Sequence, residues 1–209
     1  MLRATKTRLA ALTLMLATLG ILAAPLSSAG AATTTDPALT VWWNVDASTH
    51  LKKLNQTVVV PRGIMLARID LATGDLAAIM ALPNAKSNIK LAGLPLATAT
   101  FKMQQVGLIT GHVDLKTFTV TATARFNIQV VSLKAVGGVV PVNLVGNSCT
   151  TSQPVTVTMS GPASLTGPST FTGTYTIPFF KTCGASTVAL DVAISGPGNT
   201  FTATATPQS

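Results

Sequence analysis

The stretch FTVTATARFNIQV, Phe118–Val130, decides the fold. Its even positions, Phe118, Val120, Ala122, Ala124, Phe126, Ile128 and Val130, are apolar, and its odd positions, Thr119, Thr121, Thr123, Arg125, Asn127 and Gln129, are polar. Side chains of a β-strand alternate between the faces of its sheet, so this is one strand with a dry face and a wet face. At roughly 3.3 Å per residue it runs about 43 Å, beyond an ordinary strand. Such a strand either bends around a core or crosses from one sheet to another.

The same period recurs on both sides. Downstream, Val155, Val157 and Met159 alternate with Thr156, Thr158 and Ser160, and Phe171, Tyr175, Ile177 and Phe179 alternate with threonines. Val188, Leu190, Val192 and Ile194 read as a further strand, and Phe201, Ala203 and Ala205 as the last. Gly161-Pro162, Gly167-Pro168 and Gly196-Pro197-Gly198-Asn199 punctuate them as turns. Upstream, strands are expected at Leu39–Val45, Thr57–Val60, Ile64–Leu71, Leu76–Leu82, Leu96–Val106 and Val113–Val130, the last broken near Lys116-Thr117. Ser48–Gln56 reads as a turn or two of helix, with Leu51 and Leu54 on one face. Many strands at short spacing, threonine in abundance and no Glu predict an all-β fold. The expected architecture is an antiparallel β-sandwich or partly open β-barrel with long curved strands and one disulfide.

The N-terminus has a different composition. Arg3, Lys6 and Arg8 precede an apolar run from Leu9 to Ala24, followed by Pro25, small residues and Ala29-Gly30-Ala31. That is the order of a secretory signal peptide with its cleavage site, and the run is shorter than the roughly 20 residues of a spanning helix. The expected organisation is a signal peptide over 1–31, a flexible N-terminus over 32–37 and a single all-β domain over 38–207, with 38–146 and 147–207 as candidate sub-lobes. No transmembrane segment is expected once the signal is removed, and the expected location is secreted, extracellular or cell-wall associated.

The full chain carries 14 Lys and Arg against six Asp, a formal net charge of +8. Three of the basic residues lie in the signal. The remaining surplus is scattered singly, with Lys52-Lys53 the sole adjacent basic pair after the signal, which suits an anionic cell envelope and does not make a nucleic-acid site. Cys149 and Cys183 are the two cysteines, and in an exported chain they read as one disulfide.

Catalytic groups are sparse. His112 and Asp114 fall on one side of a strand, but no nucleophile elbow accompanies them. Asp70 and Asp75 flank Thr73-Gly74, and two carboxylates there match no recognised calcium loop, so they read as a polar hairpin tip. No catalytic residue, metal or cofactor is expected. Asn55-Gln56-Thr57 fits the N-glycosylation pattern. Trp42 and Trp43 are neighbours, so one faces the core and the other solvent, and they mark a candidate ligand surface. Ile69-Asp70-Leu71-Ala72-Thr73 is echoed by Val113-Asp114-Leu115-Lys116-Thr117, a likeness that common turn chemistry accounts for.

The C-terminal third carries a resemblance. Phe171-Thr172-Gly173-Thr174-Tyr175-Thr176-Ile177-Pro178, Thr182-Cys183-Gly184 and Ile194-Ser195-Gly196-Pro197-Gly198-Asn199-Thr200 resemble the C-terminal signature of an uncharacterised family of small secreted proteins of high-GC Gram-positive bacteria, the actinobacteria. Cys149 stands where that family has its first Cys, and Asp70-Leu71-Ala72-Thr73-Gly74 resembles its Asp-x-x-Thr-Gly turn, whereas Pro168 replaces an expected Gly. The resemblance implies an exported β-protein and carries over no catalytic residues.

Two functions follow as expectations. The first is a secreted or cell-envelope, non-enzymatic β-domain that acts by binding. The second is a carrier of an apolar ligand or lipid in a curved-sheet cavity, for which Ala122 and Ala124, between Phe118 and Phe126, leave room. A β-pore is disfavoured because no aromatic girdles flank the strands.

Overall fold

The computed structural model describes residues 37–91, 94–137 and 142–208. The signal peptide expected over 1–31, and the stretch after it up to residue 36, lie outside the described residues. Strands β1 (Ala38–Leu51), β2 (Gln56–Asp70), β3 (Asp75–Ala81), β4 (Ala85–Leu91), β5 (Leu94–Gln105), β6 (Ile109–Asp114) and β7 (Thr119–Ala135) come first. They are followed by β8 (Thr150–Thr151), β9 (Val155–Pro162), β10 (Ser169–Ile177), β11 (Phe180–Lys181), a short helix α1 (Thr187–Ala193) and β12 (Gly196–Pro207).

Eight strands close into an antiparallel barrel in the order β7-β6-β3-β2-β1-β12-β10-β9, and β9 returns to β7 through Thr119–Pro162 to Phe126–Val155. Both 38–146 and 147–207 contribute strands to this ring. From Ala122 the ladder reaches Ile69 on β2 by way of Gly111 and Leu76, and Val58 on the same strand by way of Met159, Gly173, Phe201 and Thr49. That stagger of about ten residues is the tilt a closed barrel requires.

The long strand does what its length demands. Residues 119–126 of β7 sit in the ring between β6 and β9, and residues 126–135 run on to pair with β5. Along it Val120, Ala122, Ala124, Phe126 and Val130 are buried, while Thr119, Thr121 and Arg125 are exposed. Phe118, expected on the dry face, is a correction: it lies in the turn before β7, exposed, with a positive φ of 51°.

β3 and β4 form one arm, and β5 and β6 the other, of a single long hairpin with a break in its middle. The Gln105 side chain closes that break. Its Oε1 accepts from Met80 N at 2.6 Å, and its Nε2 donates to Ala78 O at 3.2 Å and Gly107 O at 2.7 Å, replacing ladder bonds the backbone does not make there. A bulge between Val45/Ala47 of β1 and Val60/Gly63 of β2 accommodates Pro61, which has no N–H to give a ladder.

Three expectations are corrected. Ser48–Gln56 is not helical: β1 continues to Leu51, and residues 52–55 form a tight turn. There Ser48, His50 and Leu51 pair with Val59, Thr57 and Gln56, so tertiary pairing overrides the local pattern. The stretch Val188–Ile194 is helix α1 rather than a strand. Residues four apart share a face in either structure, and here Leu190 and Ile194 are buried while Val188 and Val192 point outward. Phe179 is exposed beyond the end of β10, and Phe180 takes the buried place.

Candidate functional site

The barrel lumen holds two apolar chambers that share one wall residue, Phe201 of β12. The upper one, about 50 Å³, is lined among others by Leu51, Val58, Phe126, Tyr175 and Ile177. Its end is plugged by Phe180 and by Ile194 at the close of α1. Cys149 and Cys183 form the expected disulfide beside this plug and are fully buried. Asp191 fixes the helix: its Oδ1 accepts from Phe180 N at 2.6 Å and from Ser195 Oγ at 3.1 Å.

The lower chamber is larger, about 80 Å³. Trp43, Met65 and Met80 are ladder neighbours on β1, β2 and β3 and form one row of its wall. Met159, Ile69, Val120, Ala122 and Phe171 line the rest, and Ala163, Ser164 and Leu165 close its mouth. A single buried water needs about 10–15 Å³ and two to four polar partners. This chamber has the room and few partners. Such a space stays dry and takes apolar molecules.

Two features make the lumen adaptable. Met65, Met80, Met103 and Met159, the four methionines among the described residues, all line one chamber or the other. Methionine is unbranched and polarizable and repacks around guests of irregular shape. Trp43 is 6% exposed, and its Nε1–H has no acceptor among the described residues. A buried donor left unpaired costs about 1–3 kcal/mol, which an acceptor on a guest would offset.

The remaining candidates fall into place individually. Trp42 is 49% exposed on the outside of β1, so of the expected ligand surface Trp42 faces solvent and Trp43 faces the lumen. Ala122 and Phe126 line the lower and upper chambers respectively, and Phe118 lies outside both linings. His112 Nδ1 stands 3.8 Å from Asp75 Oδ1 on the barrel exterior. Asp114 Oδ1 instead accepts from Lys116 N at 2.8 Å and Thr117 N at 3.1 Å. Asp70 Oδ1 does the same for Ala72 N at 2.8 Å and Thr73 N at 3.0 Å. The N–H groups of Thr73 and Ala72 hold the Asp70 carboxyl below the usual range, and those of Lys116 and Thr117 act likewise on Asp114. Both carboxylates therefore serve their own turns. Asn55 closes the β1–β2 turn with a positive φ of 46°.

Sequence reading missed the methionines as a group. Their signal was available, since Met65, Met80 and Met159 fall at inward positions of three strands, yet each alone reads as ordinary core.

Neither a protein-family model, nor a curated protein, nor a solved structure matches the chain. The class rests on its own geometry: a closed, eight-stranded antiparallel β-barrel with an apolar lumen.

Proposed function

We propose that this protein is exported and acts by binding, as a carrier of a small apolar molecule in the lower chamber of its barrel. The observation that supports this best is the row of Trp43, Met65 and Met80 facing a dry space of about 80 Å³. Such walls give apolar contact that adapts to the guest, and the free Nε1–H of Trp43 selects a guest with one acceptor oxygen, such as a carbonyl, ester or hydroxyl. Binding is favoured over catalysis because Asp70 and Asp114 serve turns, Asp191 the helix and Tyr175 its bond with Thr49, while His112 and Asp75 stand on the barrel exterior outside both chamber linings. Export is supported by the signal-like N-terminus, by the disulfide, which suits an oxidising compartment, and by the resemblance to actinobacterial secreted proteins. An anionic envelope suits the basic surplus as its surroundings.

Native mass spectrometry of protein purified from its own host tests the reading. The expected result is an apolar adduct, replaceable by Nile red in a saturable titration that Trp43→Phe weakens. Protein free of adduct that takes up no Nile red would sink the proposal. N-terminal sequencing of exported material should begin near Ala32 or Thr33, and retention of residues 1–31 would refute export by cleavage.

A further inference from the structure

The turns 70–74 and 114–118 are built alike. Each begins with an Asp whose Oδ1 accepts two backbone N–H groups, continues with Leu, and ends on a residue of positive φ. Each final residue offers its carbonyl to the neighbouring connection or strand: Gly74 O accepts from Val113 N of β6 at 2.7 Å, and Phe118 O from Ala163 N, just past β9, at 2.6 Å. Gly suits that backbone conformation, and Phe is among the residues least suited to it. The second turn nevertheless carries Phe118, and its ring is 61% exposed. The ring is not part of the core, so core packing does not account for the strain.

The ring has neighbours of its own kind. Leu71 and Leu115, at the same step of the two turns, and Leu165 in the β9–β10 loop are all exposed. The Val113–Gly74 and Ala163–Phe118 bonds tie these three connections into one arc at one barrel end. Leu165 belongs at once to this arc and to the lining of the lower chamber, so exposed apolar rim and chamber wall are continuous. The opposite end is plugged by Phe180 and α1.

We infer that this end rests on the acyl surface of a zwitterionic lipid layer, with Phe118 inserted, and that the lower chamber is loaded there. The inference builds on the carrier reading. Charge selects the occupant. The elements of the arc carry Arg68, Lys116 and the imidazole of His112 against Asp70, Asp75 and Asp114, so there is no cationic excess to draw this end to anionic headgroups, whereas Lys52, Lys53 and Lys181 lie at the other end. Apolar side chains carried singly on protruding turns suit a deformable lipid layer, while a protein partner requires a matching concave surface.

The test uses phosphatidylcholine vesicles and the variants Phe118→Gly and Phe118→Ala. Gly relieves the backbone, so Phe118→Gly should melt no lower than the parent; Ala removes the ring and keeps the conformation. Both should partition into vesicles roughly ten- to hundredfold more weakly, the burial of one Phe side chain, while binding Nile red in solution with unchanged affinity. Parent partitioning should be insensitive to salt. Vesicle binding that is equal in all three proteins, absent in all, or confined to anionic vesicles overturns the inference, as does a Phe118-dependent dimer without vesicle binding. Loss of vesicle binding in the variants with no Nile red uptake in any protein would leave the docking end standing and overturn only the carrier reading.

Discussion

The hydroxyl of Tyr175 and the Oγ1 of Thr49 lie 2.5 Å apart inside the barrel, reaching past β12, which runs between their strands. Thr49 Oγ1 also donates to Thr200 O at 2.9 Å, so all three strands are joined at one level. Burial pushes the Tyr175 phenol up from its ordinary value, and the Thr49 hydroxyl offsets part of that rise. A folded-state pKa raised above the unfolded one stabilises the fold below about pH 10 and loses that contribution as pH climbs past it. Tyr175 is the one tyrosine of the chain, so its titration is directly visible. Tyrosinate absorbance should rise together with loss of the β circular-dichroism signal, and Tyr175→Phe should hold its fold to higher pH. Tyrosinate appearing near pH 10 in an intact barrel would contradict this account.

Residues on the two faces of β7 should respond very differently to truncation. Phe126 is buried against the upper chamber, and Phe126→Ala should cost about 3–5 kcal/mol. The lower figure applies if the new void merges with the existing one. Thr121 faces outward, and Thr121→Ala should stay within about 1 kcal/mol. Denaturant unfolding of the two variants decides it. Equal losses would mean that β7 is buried on both faces.

The difference between these two residues was legible in the chain because alternation is a local property, and Thr119–Val130 alternates without a fault. The closure of the barrel was not. It depends on β7 meeting β9 and β12 meeting β1, pairings between strands far apart in sequence that no local period encodes. β4 went unread for a related reason: Lys86, Asn88 and Lys90 give Ala85–Leu91 an exposed polar face, and its partner β5 supplies the reason to be extended. The Asp70 and Asp114 echo was visible, but only backbone dihedrals reveal that Phe118 occupies the place of Gly74. The disulfide was readable from two cysteines; the chambers were not, because Ala122, Met65 and Met159 look the same in a solid core as in a hollow one.

Gly74 should tolerate no side chain. Its φ is +81°, and an added Cβ would collide with the Val113 carbonyl oxygen and stand 2.8 Å from His112 Cε1. Conformational cost and collision act together, so Gly74→Ala should destabilise by more than about 2 kcal/mol. A thermal unfolding curve matching that of the parent would refute the described turn.

Acid should loosen the same barrel end. Asp70 and Asp114 have folded pKa values below the ordinary aspartate range, so their contribution is present above about pH 4 and is lost as pH falls through the lowered values. Asp70→Asn and Asp114→Asn keep an Oδ1 acceptor without a titrating group. The double variant should lose less stability than the parent between neutral and acid pH, measured by urea unfolding. A parallel decline in both proteins would assign the acid sensitivity elsewhere.

Replacing both Cys149 and Cys183 by Ser should separate the two ends of the molecule. The bridge closes a loop across 34 residues of sequence, and chain entropy puts its removal at roughly 2–4 kcal/mol. The loss should also be felt unevenly. Cys149 O accepts from Val130 N at 2.9 Å, and β8 and β11 flank the bridge as a ladder of only two residue pairs, so without it Phe180 and α1 are held over the upper chamber by scattered bonds such as those from Lys53 Nζ to Asp191 O and Val192 O. Backbone amides of Phe180 and Ile194 should exchange faster in the double variant, while those of Val120 and Met159, deep in the ring, should exchange at a rate set by global unfolding alone. Acceleration that is uniform along the chain would show the plug to be integral to the barrel. Free thiols titrating in the folded, non-reduced parent would remove the bridge from the account altogether.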